Sequence, residues 1–204
     1  MNLLFVCSGN SCRSPMAMAT AFHAFQGEHE CDSAAGNIKG GKFTSSKSVS
    51  SKAVTAIEKL YGDKGLKNYK PKSINSSLVI WADYIIVLGE KFGNNIRKVF
   101  PKDAGKVILY CEYKSKNGGK ITKDVPDPFD GDHWSDCFET TWPGKSQESY
   151  DLVAAEMMEV FQPVLEALLG GGKKPSQPKL VEGMKPSETT LTDAKVVADA
   201  KRPG

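Results

Sequence analysis

Residues Asn2 to Val6 (NLLFV) form a short unbroken apolar run, and Pro15 to Phe25 (PMAMATAFHAF) is an alanine-rich apolar stretch. The first predicts a buried strand and the second a helix with a buried face, so the chain opens strand, loop, helix. Ser14 and Pro15 stand where an N-cap and a first-turn proline belong, which predicts that the helix begins there. Further on, Tyr84 to Leu88 (YIIVL) and Val107 to Tyr113 (VILYCEY) read as buried strands, with a weaker one near Glu30 to Ser33. Ser51 to Leu60 and Ser149 to Leu169 carry apolar residues at helical spacing. Strands separated by helices favour βαβ units, hence a mostly parallel sheet covered on both faces, with ligands at the carboxyl ends of the strands.

Composition sharpens the boundaries. From Gly170 the chain turns to GGGKKPSQPK and runs to Gly204 with four prolines and no aromatic residue. Such a tail buries too little apolar surface to offset its ordering entropy, which predicts one domain over residues 1–169 and a disordered Lys/Pro-rich tail over 170–204. That tail holds seven Lys/Arg and four Asp/Glu, leaving 20 of each sign in the first 169 residues. A formally neutral domain lacks the clustered basic charge that nucleic-acid binding uses. The apolar run at the start is too short for a signal peptide or a membrane span, so a cytoplasmic, membrane-free protein is expected. The five cysteines (Cys7, Cys12, Cys31, Cys111, Cys137) contain no CxxC pair, and His23, His29 and His133 show no ligand spacing. Reduced thiols, and neither a disulfide framework nor a metal site, fit that pattern.

One segment carries chemistry. Cys7-Ser8-Gly9-Asn10-Ser11-Cys12-Arg13-Ser14 directly follows the first strand and enters the first helix as a C-x5-R-S loop. Successive backbone N–H groups of such a loop converge on one point, and the helix N-terminus adds positive charge there, so residues 8 to 14 are expected to cradle a tetrahedral oxyanion. Gly9 and Asn10 are the residues that permit the unusual backbone angles needed for the loop to curl. Cys7 at the base of the cradle would be favoured as thiolate, since comparable settings lower a thiol from about 8.5 to roughly 3.5–7.5. Only three of the 27 basic residues are Arg, and Arg13 is one of them. Its planar fork holds two phosphoryl oxygens where an ammonium holds one. A second segment, Val125-Pro126-Asp127-Pro128-Phe129, holds an Asp between two prolines on a stiff, non-helical stretch that presents its carboxyl rigidly.

LLFVCSGNSCRSPMA and VPDPFDG, with intermediate matches at CDSAAG (31–36) and ADYIIVL (82–88), resemble the low-molecular-weight protein tyrosine phosphatases. The resemblance spans roughly residues 1–169. It implies a three-layer α/β sandwich around a central, mostly parallel four-stranded sheet, and a metal-free and cofactor-free phosphomonoesterase. By that likeness Cys7 attacks phosphorus, Arg13 and the amides of Ser8 to Ser14 stabilise the equatorial oxygens, and Asp127 protonates the leaving oxygen before activating water against the phosphocysteine. Ser14 is implied to hydrogen-bond the thiolate, Asn10 to brace the loop, and Cys12 to form a reversible protective disulfide with Cys7.

The sequence also departs from that family. Tyrosine-specific members commonly carry Ile where this chain has Ser11, and two tyrosines after Asp-Pro where it has Phe129 and Asp130. Ser11 and Phe129 look more like the protein arginine phosphatases of the same family, so phosphotyrosine and phosphoarginine both stand as substrates, with phosphate as product. Phe129 is a candidate wall of the substrate slot. His133 to Glu148 is longer than the family's usual link and reads as either a lid or a surface insertion. Arsenate reductases share the loop spelling GNSCRS, but need two further cysteines close together, which the spacing here does not offer.

Overall fold

The computed structural model describes residues 1–110, 124–129, 133–135, 140–142 and 144–168. The expected tail from residue 170, together with Cys111 and Cys137, lies outside the described residues.

The opening apolar run is strand β1 (Asn2–Cys7), and it forms the heart of the molecule. It is followed by helix α1 (Arg13–Ala24), β2 (Glu30–Ala35), and a hairpin of β3 (Ile38–Lys39) and β4 (Lys42–Phe43). Then come α2 (Ser51–Tyr61), α3 (Ser76–Trp81), β5 (Tyr84–Val87), α4 (Glu90–Val99), β6 (Val107–Leu109), a second hairpin of β7 (His133–Ser135) and β8 (Thr140–Trp142), and α5 (Gln147–Leu168).

Strands β2, β1, β5 and β6 pair in that order, all parallel. Because a strand alternates its side chains between faces, an unbroken apolar strand serves two cores. Leu3, Phe5 and Cys7 lie in the core completed by Met16 of α1, Ile57 of α2 and Tyr150 of α5. Leu4 and Val6 lie in the opposite core with Val79 of α3 and Phe92 and Ile96 of α4. The result is the expected three-layer α/β sandwich.

The chain leaves β1 for β2 on one side, then returns across to β5 on the other side. The carboxyl end of β1 is therefore the topological switch point, where a parallel sheet opens a crevice between oppositely directed connections. Cys7 is the last residue of that strand.

Three local expectations need correction. The first helix starts at Arg13 and not at Ser14, Cys12 is its N-cap residue, and no side chain caps it. Ser14 lies inside the first turn with its hydroxyl committed elsewhere, as described below. The last strand stops at Leu109, short of Tyr113, and the Tyr110 hydroxyl donates to Met157 O of α5 at 3.0 Å. Gly9 is not the residue in left-handed conformation; Asn10 is, with φ 57°. The segment read as lid or insertion contains the β7–β8 hairpin, pairing His133 with Trp142.

Candidate active site

Cys7 ends β1 at 2% exposure, and the chain turns at once through Ser8 to Cys12 into α1. The shape of that turn is held from outside. The carbonyls of Cys7, Ser8, Gly9 and Ser11 accept backbone N–H bonds from Gly36 (2.8 Å), Asn37 (3.3 Å), Ser46 (2.8 Å) and Ser50 (2.7 Å), and Met16 N–H bonds Cys12 O at 3.0 Å. No peptide here is cis, so each N–H points opposite to the carbonyl of the preceding residue. Five carbonyls turned outward therefore turn the amides of Ser8, Gly9, Asn10, Cys12 and Arg13 toward the inside of the loop. Gly9 packs closely on the rim: a Cβ there would stand 2.5 Å from Ser46 Oγ, so that hydroxyl would have to move.

Asn10 explains why the loop can close over a strand end. Fully buried in the left-handed region, it exchanges that conformational cost for three hydrogen bonds. Its Nδ2 donates to Ser14 Oγ at 3.0 Å and to Ser33 Oγ at 2.8 Å, and its Oδ1 accepts from Lys72 N–H at 2.9 Å. Ser14 Oγ in turn donates to Cys7 Sγ at 3.1 Å. Cys7, Asn10 and Ser14 are thus one connected unit.

Arg13, at 6% exposure, reaches the other way. Its Nη1 donates to Val125 O at 2.9 Å, and its Nη2 pairs with Asp127 Oδ2 at 2.5 Å. The guanidinium carbon lies 5.8 Å from the centre of the Phe92 ring. Its Nε, buried, has no hydrogen-bond partner among the described residues. Burial works against the guanidinium charge, but Asp127, Cys7, Cys12 and Asp124 outweigh it and hold the group cationic. A buried N–H without a partner is uncommon, and on a cation beside a ring of amides it is the donor an oxyanion would satisfy.

Asp127 arrives here because its segment lies along the end of β5. Val125 N–H donates to Leu88 O at 3.0 Å, Leu88 N–H donates to Val6 O at 2.8 Å, and Asp124 accepts from Glu90 N–H at 2.7 Å. The Pro-Asp-Pro stretch is thereby carried to the mouth of the loop. Asp127 Oδ1 also accepts from the Cys12 thiol at 3.6 Å and from Phe129 N–H at 3.2 Å. Burial, then the neighbouring Cys7 and Asp127 charges, push the Cys12 thiol far up, so it remains a thiol. Phe129 is 63% exposed, with Lys145 Nζ 5.9 Å from its ring centre. Lys145 N–H bonds Pro128 O at 2.9 Å, and its own carbonyl accepts from Lys52 Nζ.

The loop residues Cys7 to Ser14 and Asp127 come together at this place, with Phe129 two residues along the chain from Asp127. Ser33, Tyr69, Lys72 and Tyr150 join them without a sequence signal. Tyr150 is 2% exposed and lies near the charges of Cys12, Asp127 and Arg13; burial foremost raises its hydroxyl. Cys31 is remote. It pairs with Leu3 at the amino end of the sheet, about 13 Å along the strand from Cys7, and burial pushes its thiol up to about 12. Among the described residues no helix is long and apolar enough to cross a membrane, and no three His, Cys, Asp or Glu gather as a metal site.

A model of the family "Low molecular weight phosphotyrosine protein phosphatase" matches residues 2–159. The low molecular weight phosphotyrosine protein phosphatase of Saccharomyces cerevisiae is 30% identical over 138 residues, spanning 65% of this chain and 81% of the yeast protein. A protein-arginine-phosphatase of Bacillus subtilis is 31% identical over 133 residues, spanning 64% and 81%. The crystal structure of a low molecular weight protein tyrosine phosphatase from T. tengcongensis superposes with a TM-score of 0.62 at 25% identity, covering 82% of this chain and 99% of that one.

Proposed function

Because the chain belongs to the low molecular weight phosphotyrosine protein phosphatase family, we propose that it hydrolyses phosphotyrosine in proteins through a phosphocysteine on Cys7. The carrying observation is the buried Nε of Arg13, without a hydrogen-bond partner among the described residues, beside a loop whose amides turn inward around Cys7. An oxyanion bound there gains a guanidinium edge and several N–H donors at once.

Cys7 Sγ attacks phosphorus in line, and the P–O bond to the leaving group breaks as Asp127 delivers its proton to that oxygen. Asp127, now a carboxylate, takes a proton from water, whose oxygen attacks phosphorus. The S–P bond breaks with its electron pair returning to Cys7, and inorganic phosphate leaves. Arg13 and the amides of residues 8–14 hold the three equatorial oxygens, whose charge spreads in the transition state. Ser14 stabilises the sulfur anion both as nucleophile and as leaving group. The exposed Phe129 ring, two residues from Asp127, offers an apolar wall to an aryl phosphate. No metal or cofactor takes part, and the folded unit is residues 1–169, acting in the cytoplasm.

Ser11 in the loop and the match to a protein-arginine-phosphatase favour phosphoarginine as the second substrate reading. Rates measured side by side on phosphotyrosine and phosphoarginine peptides, with chelator present and vanadate as competitor, decide between them. Loss of turnover in Cys7→Ser is expected for either substrate, and retained turnover would overturn the mechanism. Cys12, a thiol in the same loop, serves as the oxidative partner: peroxide converts Cys7 to a sulfenic acid, which condenses with Cys12 and releases water. Mass spectrometry finding only sulfinic acid at Cys7 after mild peroxide would exclude that partner.

A further inference from the structure

Beside Phe129 the rim of the site carries a lysine in a backbone conformation that lysine seldom takes. Lys145 has φ 54° and directly follows Gly144 at φ 56°, so two successive residues are left-handed. Glycine adopts that conformation freely, whereas a residue with a Cβ does so at a cost. The turn is fixed on both sides of Lys145: its N–H donates to Pro128 O at 2.9 Å, and its carbonyl accepts from Lys52 Nζ of α2. The Lys52 carbonyl in turn accepts from Gln147 Nε2 of α5 at 3.0 Å. The acid segment, α2 and the start of α5 are thus tied together around this residue, and both ties to Lys145 are to its main chain.

A glycine would satisfy those ties equally well. What lysine adds is an ammonium, which lies 5.9 Å from the centre of the exposed Phe129 ring. Phe129 N–H bonds Asp127 Oδ1 at 3.2 Å, so the ring stands between the cation and the candidate proton donor along the chain. Among the described residues, the cations in ion pairs are Arg13, His23, Lys59, Lys64, Lys72 and Lys106, and Lys145 has no carboxylate of its own. Asp151 of α5 is already taken by Lys59 at 2.5 Å and by Gln147 at 2.8 Å. A strained backbone that presents an unpaired cation over an exposed ring beside a reaction site is suited to meeting an anion on the substrate.

We propose that Lys145 is a specificity-determining residue whose ammonium pairs with an Asp or Glu next to the phosphorylated residue, making acidic phosphopeptides the preferred substrates. The proposal deepens the reading of the chain as a Cys7 phosphatase and rests on it. A phosphotyrosine whose oxygen meets Asp127 and whose ring lies on Phe129 brings its neighbouring residues toward the ammonium. A basic neighbour meets a cation already in place and is disfavoured. An exposed ion pair of this kind changes an equilibrium by about two- to fivefold and weakens as salt rises.

The test compares kcat/KM for phosphotyrosine peptides that differ only in the two residues flanking the phosphorylated one, set to Glu, Gln or Lys. Wild type is expected to favour Glu over Gln flanks by about two- to fivefold, and Gln over Lys by a similar factor, with both differences shrinking at about 0.5 M salt. Lys145→Gly keeps the left-handed turn and its main-chain bonds, so it should melt no lower than wild type while the Glu-over-Lys ratio falls by about threefold or more. Lys145→Arg should keep the order of the three peptides, and Lys145→Glu should invert it, which a purely structural role would not do. Should only phosphoarginine peptides be hydrolysed, the same flanks are compared on them. Peptides hydrolysed alike whatever their flanks, or an order unmoved by Lys145→Glu, would overturn the proposal and leave the phosphatase reading standing. So would turnover of a small aryl phosphate with none of any peptide. Absence of turnover on aryl phosphate and peptides alike would remove the phosphatase reading and the proposal with it.

Discussion

Replacing Asp127 by Ala removes two things, and their consequences have opposite signs. The carboxyl that protonates the leaving oxygen is lost, which for a positioned general acid lowers kcat by roughly 10² to 10⁴. The same carboxyl is the 2.5 Å partner of Arg13, whose guanidinium is 7% exposed in the pair while Asp127 is 21% exposed. A hydrogen bond to a charged group contributes about 1.5–3 kcal/mol, and the partial exposure of Asp127 places this one toward the lower end. Over a span the size of the family-matched residues 2–159, that corresponds to a Tm lower by about 3–6 °C. The resting guanidinium is then left with one Val125 carbonyl, and an arriving oxyanion no longer competes with a carboxylate for it. Vanadate and phosphate should therefore bind up to about tenfold more tightly than to wild type, and phosphate should recover most of the lost Tm. Asp127→Asn separates the effects: it keeps a hydrogen-bond acceptor for Arg13, so kcat should fall as far while Tm falls less. The assays are steady-state turnover of an aryl phosphate, vanadate inhibition, and melting with and without phosphate. An unchanged kcat, or weaker vanadate inhibition in Asp127→Ala, would refute the reasoning.

Gly9→Ala places a Cβ 2.5 Å from Ser46 Oγ, a clash expected to cost about 1–3 kcal/mol and to lower kcat/KM at least about tenfold; adding Ser46→Gly should return most of both, and a harmless single variant would dismiss the clash. At Asn10, both Gly and Ala delete the side-chain bonds, but Ala must also adopt φ near 57°, so Asn10→Ala should melt below Asn10→Gly by about 1 kcal/mol of stability. Asp63 shows a pH effect: burial disfavours its carboxylate, but the Gly65 N–H and His23 override it and lower its pKa. A depressed carboxyl stabilises fully above its unfolded value near pH 4 and loses that contribution as pH falls through the folded value. Wild type should therefore melt above Asp63→Asn at pH 6, with the gap closing toward pH 3; a gap independent of pH would assign the effect to packing.

What could be read in the linear sequence was whatever depends on neighbours in the chain. The unbroken NLLFV run, the loop spelling from Cys7 to Ser14, and the amphipathic spacing of α2 and α5 each carry their meaning within about twenty residues. α4 escaped notice because EKFGNNIRKV contains a Gly and two Asn, poor helix formers, and is held by packing of Phe92 and Ile96 against the sheet. α3, six residues long, has no room for periodicity. The capping role expected of Ser14 failed because its hydroxyl has a better partner in Cys7. Tyr69 and Lys72 were invisible for a simpler reason. They are scattered polar residues whose significance exists only once β2 lies beside β1 and the 69–72 stretch crosses its end.

The way the oxyanion loop is tethered has a bearing on what sequence change can do to it. Its outward carbonyls are gripped by main-chain N–H groups of Asn37, Ser46 and Ser50, and every amino acid except proline supplies that group. Most changes of side chain at these three positions therefore leave the main-chain grip on the loop in place. A single proline at residue 37, 46 or 50, having no N–H to give, is the substitution that would release that grip.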